Sequence, residues 1–229
     1  MRFLTCPFLR VLRSVPPGAR VLDVGAGHGV FSVLAANRRA RVVAVEPDVR
    51  KVLGVPPHPP SAPSPPPPRG RRALDSGASR DLPTETLLPR AGEGARSADE
   101  GAASRVQFVI GYDDVVRGTF DVVAINDVLY KLPFEQWDAL LTRILERLPS
   151  GGMLLVKEHD PTARIKNTWN RWQESLAAKL HLTLGESFSY ETPADFIARL
   201  RRLGFTDVQA KRIDFGYPHP HILYIARLI

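Results

Sequence analysis

Short apolar runs alternate along this chain with longer stretches whose apolar side chains recur every three or four residues. The first pattern is that of strands covered on both faces, the second that of helices laying one face on a sheet. Their alternation predicts a doubly wound α/β fold. Strands are expected near 20–24, 41–45, 106–110, 120–125 and 151–157, with two more near 206–213 and 221–227. Helices are expected near 28–38, 134–148, 165–182 and 192–203. The stretch 134–148 begins after Pro133, a favoured opening residue, and spaces Trp137, Leu140, Leu141, Ile144 and Leu148 along one helical face. Ser150-Gly151-Gly152 then stops it.

Residues 55–104 break the pattern. They hold eleven of the 21 prolines, with Pro65 to Pro68 in succession, and only Val55, Leu74, Leu82, Leu87 and Leu88 as large apolar side chains. Such a composition buries too little apolar surface to offset its ordering entropy. The segment is expected to be a disordered insert with polyproline II character, interrupting one domain that spans 1–229. A proline-rich tract can also bind an SH3-like module, but a tolerated insertion is the simpler expectation. The insert stands where a crossover helix should join the second strand to the third. Asp48 to Leu53 supply at most a turn or two of that helix, so one face is expected to be thinly covered.

Composition narrows the class. At 229 residues, 44% hydrophobic and 24% charged, the chain has the content of a soluble globular domain with room for a sizeable core. No apolar run approaches the roughly 20 residues of a membrane helix. The single cysteine, Cys6, excludes an internal disulfide framework and a cysteine-based zinc cluster, and suits a reducing cytoplasm. The net charge of +7 is almost wholly N-terminal, since residues 1–54 carry nine Lys/Arg against three acids. That excess reads as a solvated face, with anionic lipid or nucleic acid as the alternative contacts. The acid-free opening, Met1 to Arg10, lacks the features of a secretory signal and is expected to form a short helix against the sheet or over a ligand pocket.

The chemistry is concentrated at Val21-Leu22-Asp23-Val24-Gly25-Ala26-Gly27-His28-Gly29, an apolar strand running into a G-x-G-x-G turn. Glu46 closes the next apolar run, seventeen residues after Gly29. Glycines let the backbone pass close to a ligand, and the following helix offers unpaired N–H groups. An acid ending the second strand can accept hydrogen bonds from both hydroxyls of an adenosine ribose. The dinucleotide fingerprint would need Gly or Ala at position 30, where this chain has Val30. With an acid two residues before the first glycine, the segment resembles the class I S-adenosylmethionine-dependent methyltransferases.

Two further segments carry the resemblance. Phe120-Asp121-Val122-Val123-Ala124-Ile125-Asn126-Asp127-Val128-Leu129-Tyr130 resembles the fourth strand of that family and the turn beyond it. Leu148-Pro149-Ser150-Gly151-Gly152-Met153-Leu154 is similar to its L-x-P-G-G-x-L element, shifted by one residue because Ser150 follows the proline. The resemblance covers about 20–54 and 105–229. It implies a Rossmann-like, seven-stranded, mostly parallel sheet with helices on both faces, closed by a reversed hairpin of Asp207–Asp214 and Ile222–Leu228.

It also implies S-adenosylmethionine as cofactor. Gly25 and Gly27 would pass beneath its methionine part, Asp23 would position its amino group directly or through water, and Glu46 would hold the ribose. Pro47 or Val49 would stack on the adenine. The family pattern Gly-Asp after strand three reads Gly111-Tyr112-Asp113-Asp114 here, so either Asp113 contacts the base or Tyr112 stacks on it. Asn126 would face the transferring methyl with its side-chain or backbone carbonyl.

The acceptor side is less specified. Glu158, His159 and Asp160, expected just past strand five, include a histidine suited to proton transfer near neutral pH or to an exposed turn. Tyr130, Trp169 and Trp172 would line an acceptor pocket, the tryptophan pair serving otherwise as core. His219 and His221 are expected in a hairpin turn near the substrate mouth; without a nearby acid or cysteine they give no metal site. The favoured acceptor is a small or lipid-like molecule. RNA or protein is the alternative, although the Pro-Pro-aromatic signature of base-amine methyltransferases is absent after Asn126. A scaffold that keeps the pocket without turnover, recruiting a partner through the insert, is the alternative from another class.

Overall fold

The computed structural model of the protein describes residues 6–53, 105–163 and 189–229. Seven strands form one sheet: β1 (Arg20–Val24), β2 (Arg41–Glu46), β3 (Val106–Ile110), β4 (Val122–Asn126), β5 (Met153–His159), β6 (Thr206–Arg212) and β7 (His221–Arg227). Their spatial order is β3-β2-β1-β4-β5-β7-β6. The first five run parallel, while β7 is antiparallel to both β5 and β6. The reversed terminal hairpin implied by the resemblance is therefore present.

Side chains alternate across this sheet as a period of two requires. Val21, Val42, Val122, Ala124 and Leu155 face α1 (Phe8–Leu12) and α2 (Val30–Asn37), where Phe8 packs 6.4 Å from Phe31 between ring centroids. Leu22, Val45, Val123, Ile125 and Leu154 face the other way, onto Trp137, Leu141 and Ile144 of α4 (Phe134–Leu145) and Phe196 and Leu200 of α5 (Pro193–Arg202). Thr192 caps α5 by accepting from the Asp195 amide, with proline at the first turn. The opening segment thus packs on the sheet through α1.

Several boundaries move for local reasons. The first expected helix starts at Val30, because Gly29 sits at φ 73° in the left-handed region and cannot continue a helix backwards. The helix expected over 134–148 ends at Leu145. Strand four starts at Val122 rather than 120, since Asp121 turns its carboxylate to the Arg20 amide at 2.8 Å. Strand five runs to His159 rather than 157, so Glu158 and His159 are strand residues paired with Ile222 and His221, not loop residues. Between β2 and the insert only one turn, α3 (Val49–Val52), is helical. Edge strand β3 leaves Phe108 and Ile110 at 38% and 54% exposure, the thin cover expected there. The insert 55–104 and the helix expected over 165–182 lie outside the described residues.

Candidate active site

The C-terminal ends of β1, β2 and β4 converge on the glycine turn. Asp23 is buried in β1, where the Ser32 hydroxyl donates to its Oδ2 at 2.6 Å. Burial raises its pKa to about 6, and Oδ1 has no hydrogen-bond partner among the described residues. On the neighbouring strand, Asn126 ends β4 with both side-chain polar atoms buried beside Asp23, whose pKa it pulls partly back down. Gly25 has φ 69°, and a Cβ there would lie 2.5 Å from Val128 Cγ2. Gly27, at φ 59°, faces space with no atom within 4 Å of a Cβ position.

Glu46 ties the turn to β2. Its Oε2 accepts the Gly27 amide at 2.8 Å, and its Oε1 accepts the Asp48 amide at 3.1 Å and Lys51 Nζ at 3.3 Å. Beside it opens a cleft of about 1110 Å³. Gly25, Glu46 and Pro47 line one side, Tyr112 and Asp113 one end, and the Val128–Leu132 turn the other side. Pro47 lines this cleft, whereas Val49 is 41% exposed and does not. Tyr112 is open to solvent, but Asp113 is buried, with Arg143 of α4 donating to both of its oxygens at 2.8 and 3.1 Å. The residues fit the implied cofactor: a buried acid, Glu46, would stand at the ribose end, and the bare backbone at Gly27 leaves space for a chain. The buried polar atoms of Asp23 and Asn126 suit an amino-acid head.

The other side of the Val128–Leu132 turn is built on β5. Glu158 is buried, and its Oε1 accepts the amides of Val128 and Leu129 at 3.1 and 2.9 Å. Burial, reinforced by the neighbouring Asp127 carboxylate, pushes its pKa up to about 8. Lys157, fully buried one residue earlier, donates to Asp127 Oδ2 and lies 5.4 Å from the centroid of the Phe8 ring. Asp127 takes φ 57°, bending the chain just after Asn126. Tyr130 and His159 reach a small aromatic cavity with Glu158, where Tyr130 stacks on Tyr190 at 5.9 Å.

The structure thus brings Asp23, Gly25, Gly27, Glu46, Pro47, Tyr112, Asp113 and Asn126 around one turn and cleft, and Glu158, His159 and Tyr130 around a second cavity. His219 lies on the β6–β7 turn, at the same sheet edge, lining neither space. Trp169 and Trp172 lie outside the described residues. Arg143 and Lys157 escaped the sequence reading. A lysine and a glutamate continuing the apolar run Met153-Leu154-Leu155-Val156 of a strand buried on both faces were the available signal for Lys157. Arg143, on an amphipathic helix, carried none.

The fold has relatives among solved structures. Magnesium protoporphyrin IX methyltransferase from Synechocystis, solved with bound S-adenosylhomocysteine, matches at TM-score 0.58 and 17% identity over 96% of this chain and 80% of that one. The 1,6-didemethyltoxoflavin-N1-methyltransferase of Burkholderia thailandensis, solved with its substrate and S-adenosylhomocysteine, matches at 0.58 and 17% over 98% and 79%. An O-methyltransferase family protein from Burkholderia thailandensis matches at 0.55 and 16% over 97% of this chain. The chain spans 55% of the length of that protein, about half. No curated protein matches at the sequence level. The family profile described as methyltransferase domain matches residues 3–210. The chain belongs to the methyltransferase-domain family, as its glycine turn, Glu46 and reversed hairpin imply.

Proposed function

We propose that the protein transfers a methyl group from S-adenosylmethionine to a small-molecule acceptor. The observation that carries this reading is the cleft at the strand ends, where buried Glu46 holds the glycine turn and also lines the open space. The sulfonium of the cofactor supplies an already activated methyl, so the protein's task is positioning and field. Glu46 binds the ribose hydroxyls, Asp23 and Asn126 orient the amino-acid head, and Pro47 and Tyr112 flank the adenine. Asp113 takes part at the base end of the cleft, where Arg143 donates to both of its carboxylate oxygens. Where the acceptor must lose a proton, His159 takes it. Glu158 acts from behind the turn, fixing Val128 and Leu129 through their amides.

The small-molecule class is supported by the porphyrin and toxoflavin precursors named for the two fold relatives. No described helix is long and apolar enough to cross a membrane. Calorimetry with S-adenosylmethionine and S-adenosylhomocysteine, and NAD as control, tests the reading. Micromolar binding of the first two and none of NAD is the expected result. No binding of either would leave a methyltransferase fold in which Glu46 serves only to brace the glycine turn, favouring the scaffold alternative.

A further inference from the structure

The cavity behind the Val128–Leu132 turn has a chemistry that methyl transfer does not by itself require. Its walls are the rings of Tyr130, Trp137, Tyr190, Phe196 and Tyr224, with Glu158 reaching in from β5. Trp137 meets Phe196 edge to face at 5.8 Å and Phe196 meets Tyr224 at 4.6 Å between centroids, while Tyr130 stacks on Tyr190. The space between them is about 20 Å³, enough for one water or one small polar head. Glu158 is 7% exposed, and only its Oε1 is bonded; its Oε2 is buried without a partner among the described residues.

An orphaned carboxyl oxygen in an aromatic box needs a ligand donor, and the surrounding charges select which kind. The titratable groups around it are Asp127 after β4, Lys157 and His159 on β5, His221 and Tyr224 on β7, and Glu191 ahead of α5. Lys157 is committed to Asp127 and Glu191 to Arg199, whose guanidinium lies 5.5 Å from the Trp137 centroid. Glu158 and Tyr224 in the cavity wall are hard to ionise. Burial and Asp127 raise Glu158, while burial with Asp160, Glu158 and Glu191 raises Tyr224. Part of each shift comes from neighbouring carboxylates, and the ring faces add to that bias toward a cation. An anion would be disfavoured there, whereas an ammonium that takes the place of the Glu158 proton supplies a donor to Oε2 and offsets the charge.

We propose that this cavity is an ammonium-recognising subsite, in which Glu158 Oε2 accepts from a primary or secondary amino group of the methyl acceptor held among the five rings. The proposal rests on the methyl-transfer reading and names the class of its acceptor, a small molecule carrying an amine. The amine is the anchor rather than the methylated atom, because Glu158 lines this cavity and not the cofactor cleft.

The test uses propylammonium against 1-propanol as its neutral counterpart, titrated into the whole protein by NMR and by calorimetry at pH 7. Propylammonium should bind at least tenfold more tightly than propanol. Its binding should release a proton, seen as a heat that varies with the ionisation enthalpy of the buffer, because Glu158 gives up its proton to the ion pair. In Glu158→Gln, whose carbonyl still accepts the Val128 and Leu129 amides, the preference and the proton release should both vanish. Equal binding of the two probes, no binding of either, no proton release in the wild type, or an unchanged preference in the variant would each overturn the subsite. S-adenosylhomocysteine titrated separately reads the cofactor assignment: its failure strikes the methyl-transfer reading, while failure of the amine alone strikes only the subsite.

Discussion

The carboxylate of Glu46 accepts the amide of Gly27 at 2.8 Å, joining the end of β2 to a turn nineteen residues earlier in the chain. One acid therefore braces the glycine turn and offers itself to the cleft. Glu46→Gln keeps an acceptor for the Gly27 amide but removes the charge that strengthens hydrogen bonds to ribose hydroxyls. Hydrogen bonds to charged groups contribute about 1.5–3 kcal/mol, so S-adenosylhomocysteine should bind roughly 10- to 150-fold more weakly while the melting temperature changes little. Calorimetry beside a thermal melt separates the two; unchanged affinity would remove Glu46 from the ribose site.

The two glycines of the turn should respond differently to alanine. Both sit at positive φ, which costs a residue with a Cβ about 1–2 kcal/mol. At Gly25 the new methyl would also meet Val128 Cγ2 at 2.5 Å, whereas at Gly27 it meets nothing within 4 Å. Gly25→Ala should therefore lose more stability than Gly27→Ala in chemical denaturation. Gly27→Ala should instead lose mainly cofactor affinity, because its methyl projects into space the ligand needs. Equal losses in both assays would mean that the open space at Gly27 is not part of the binding path.

Much of this site was legible in the residues because its chemistry is local. Asp23 to Gly29 and Glu46 are placed by a strand, a turn and a strand end, and a period of two suffices to put them at one sheet edge. What stayed hidden depends on elements far apart in sequence. Arg143 reaches Asp113 thirty residues away because α4 packs on the sheet face through Trp137, Leu141 and Ile144, and nothing in the helical spacing of 134–148 singles it out. Glu158 and His159 follow the apolar run Met153 to Val156 and so read as residues just past a strand near 151–157. The pairing of Glu158 with Ile222 and His159 with His221 carries the strand two residues further.

Lys157 and Asp127 make the other buried pair of the site, and breaking it should be costly. Lys157→Met would leave Asp127 facing a neutral interior beside Glu158, and Asp127→Asn would leave a fully buried ammonium. Each single substitution is expected to destabilise by about 3–5 kcal/mol. The double variant should recover a large part of that loss, because no charge is then left alone. A denaturation cycle measures this; strictly additive losses would show that the two groups do not stabilise each other.

The buried carboxyls also set how stability varies with pH. Glu158 has a pKa raised from 4.5 to about 8, and Asp23 one raised from 3.8 to about 6, both chiefly by burial. Below the unfolded values each group is protonated in both states and costs nothing. As pH rises, the unfolded chain releases these protons while the folded one retains them, so stability falls. Asp23 contributes to that fall between roughly pH 4 and 6, and Glu158 between roughly pH 4.5 and 8, each at up to about 1.4 kcal/mol per pH unit. Above pH 8 both are ionised in both states and the curve levels. Glu158→Gln removes the titrating group but keeps the oxygen that holds the Val128 and Leu129 amides. Its melting temperature should be nearly flat between pH 6 and 8, where that of the wild type declines. Parallel curves across that interval would mean that Glu158 ionises in the folded protein as it does in the unfolded chain.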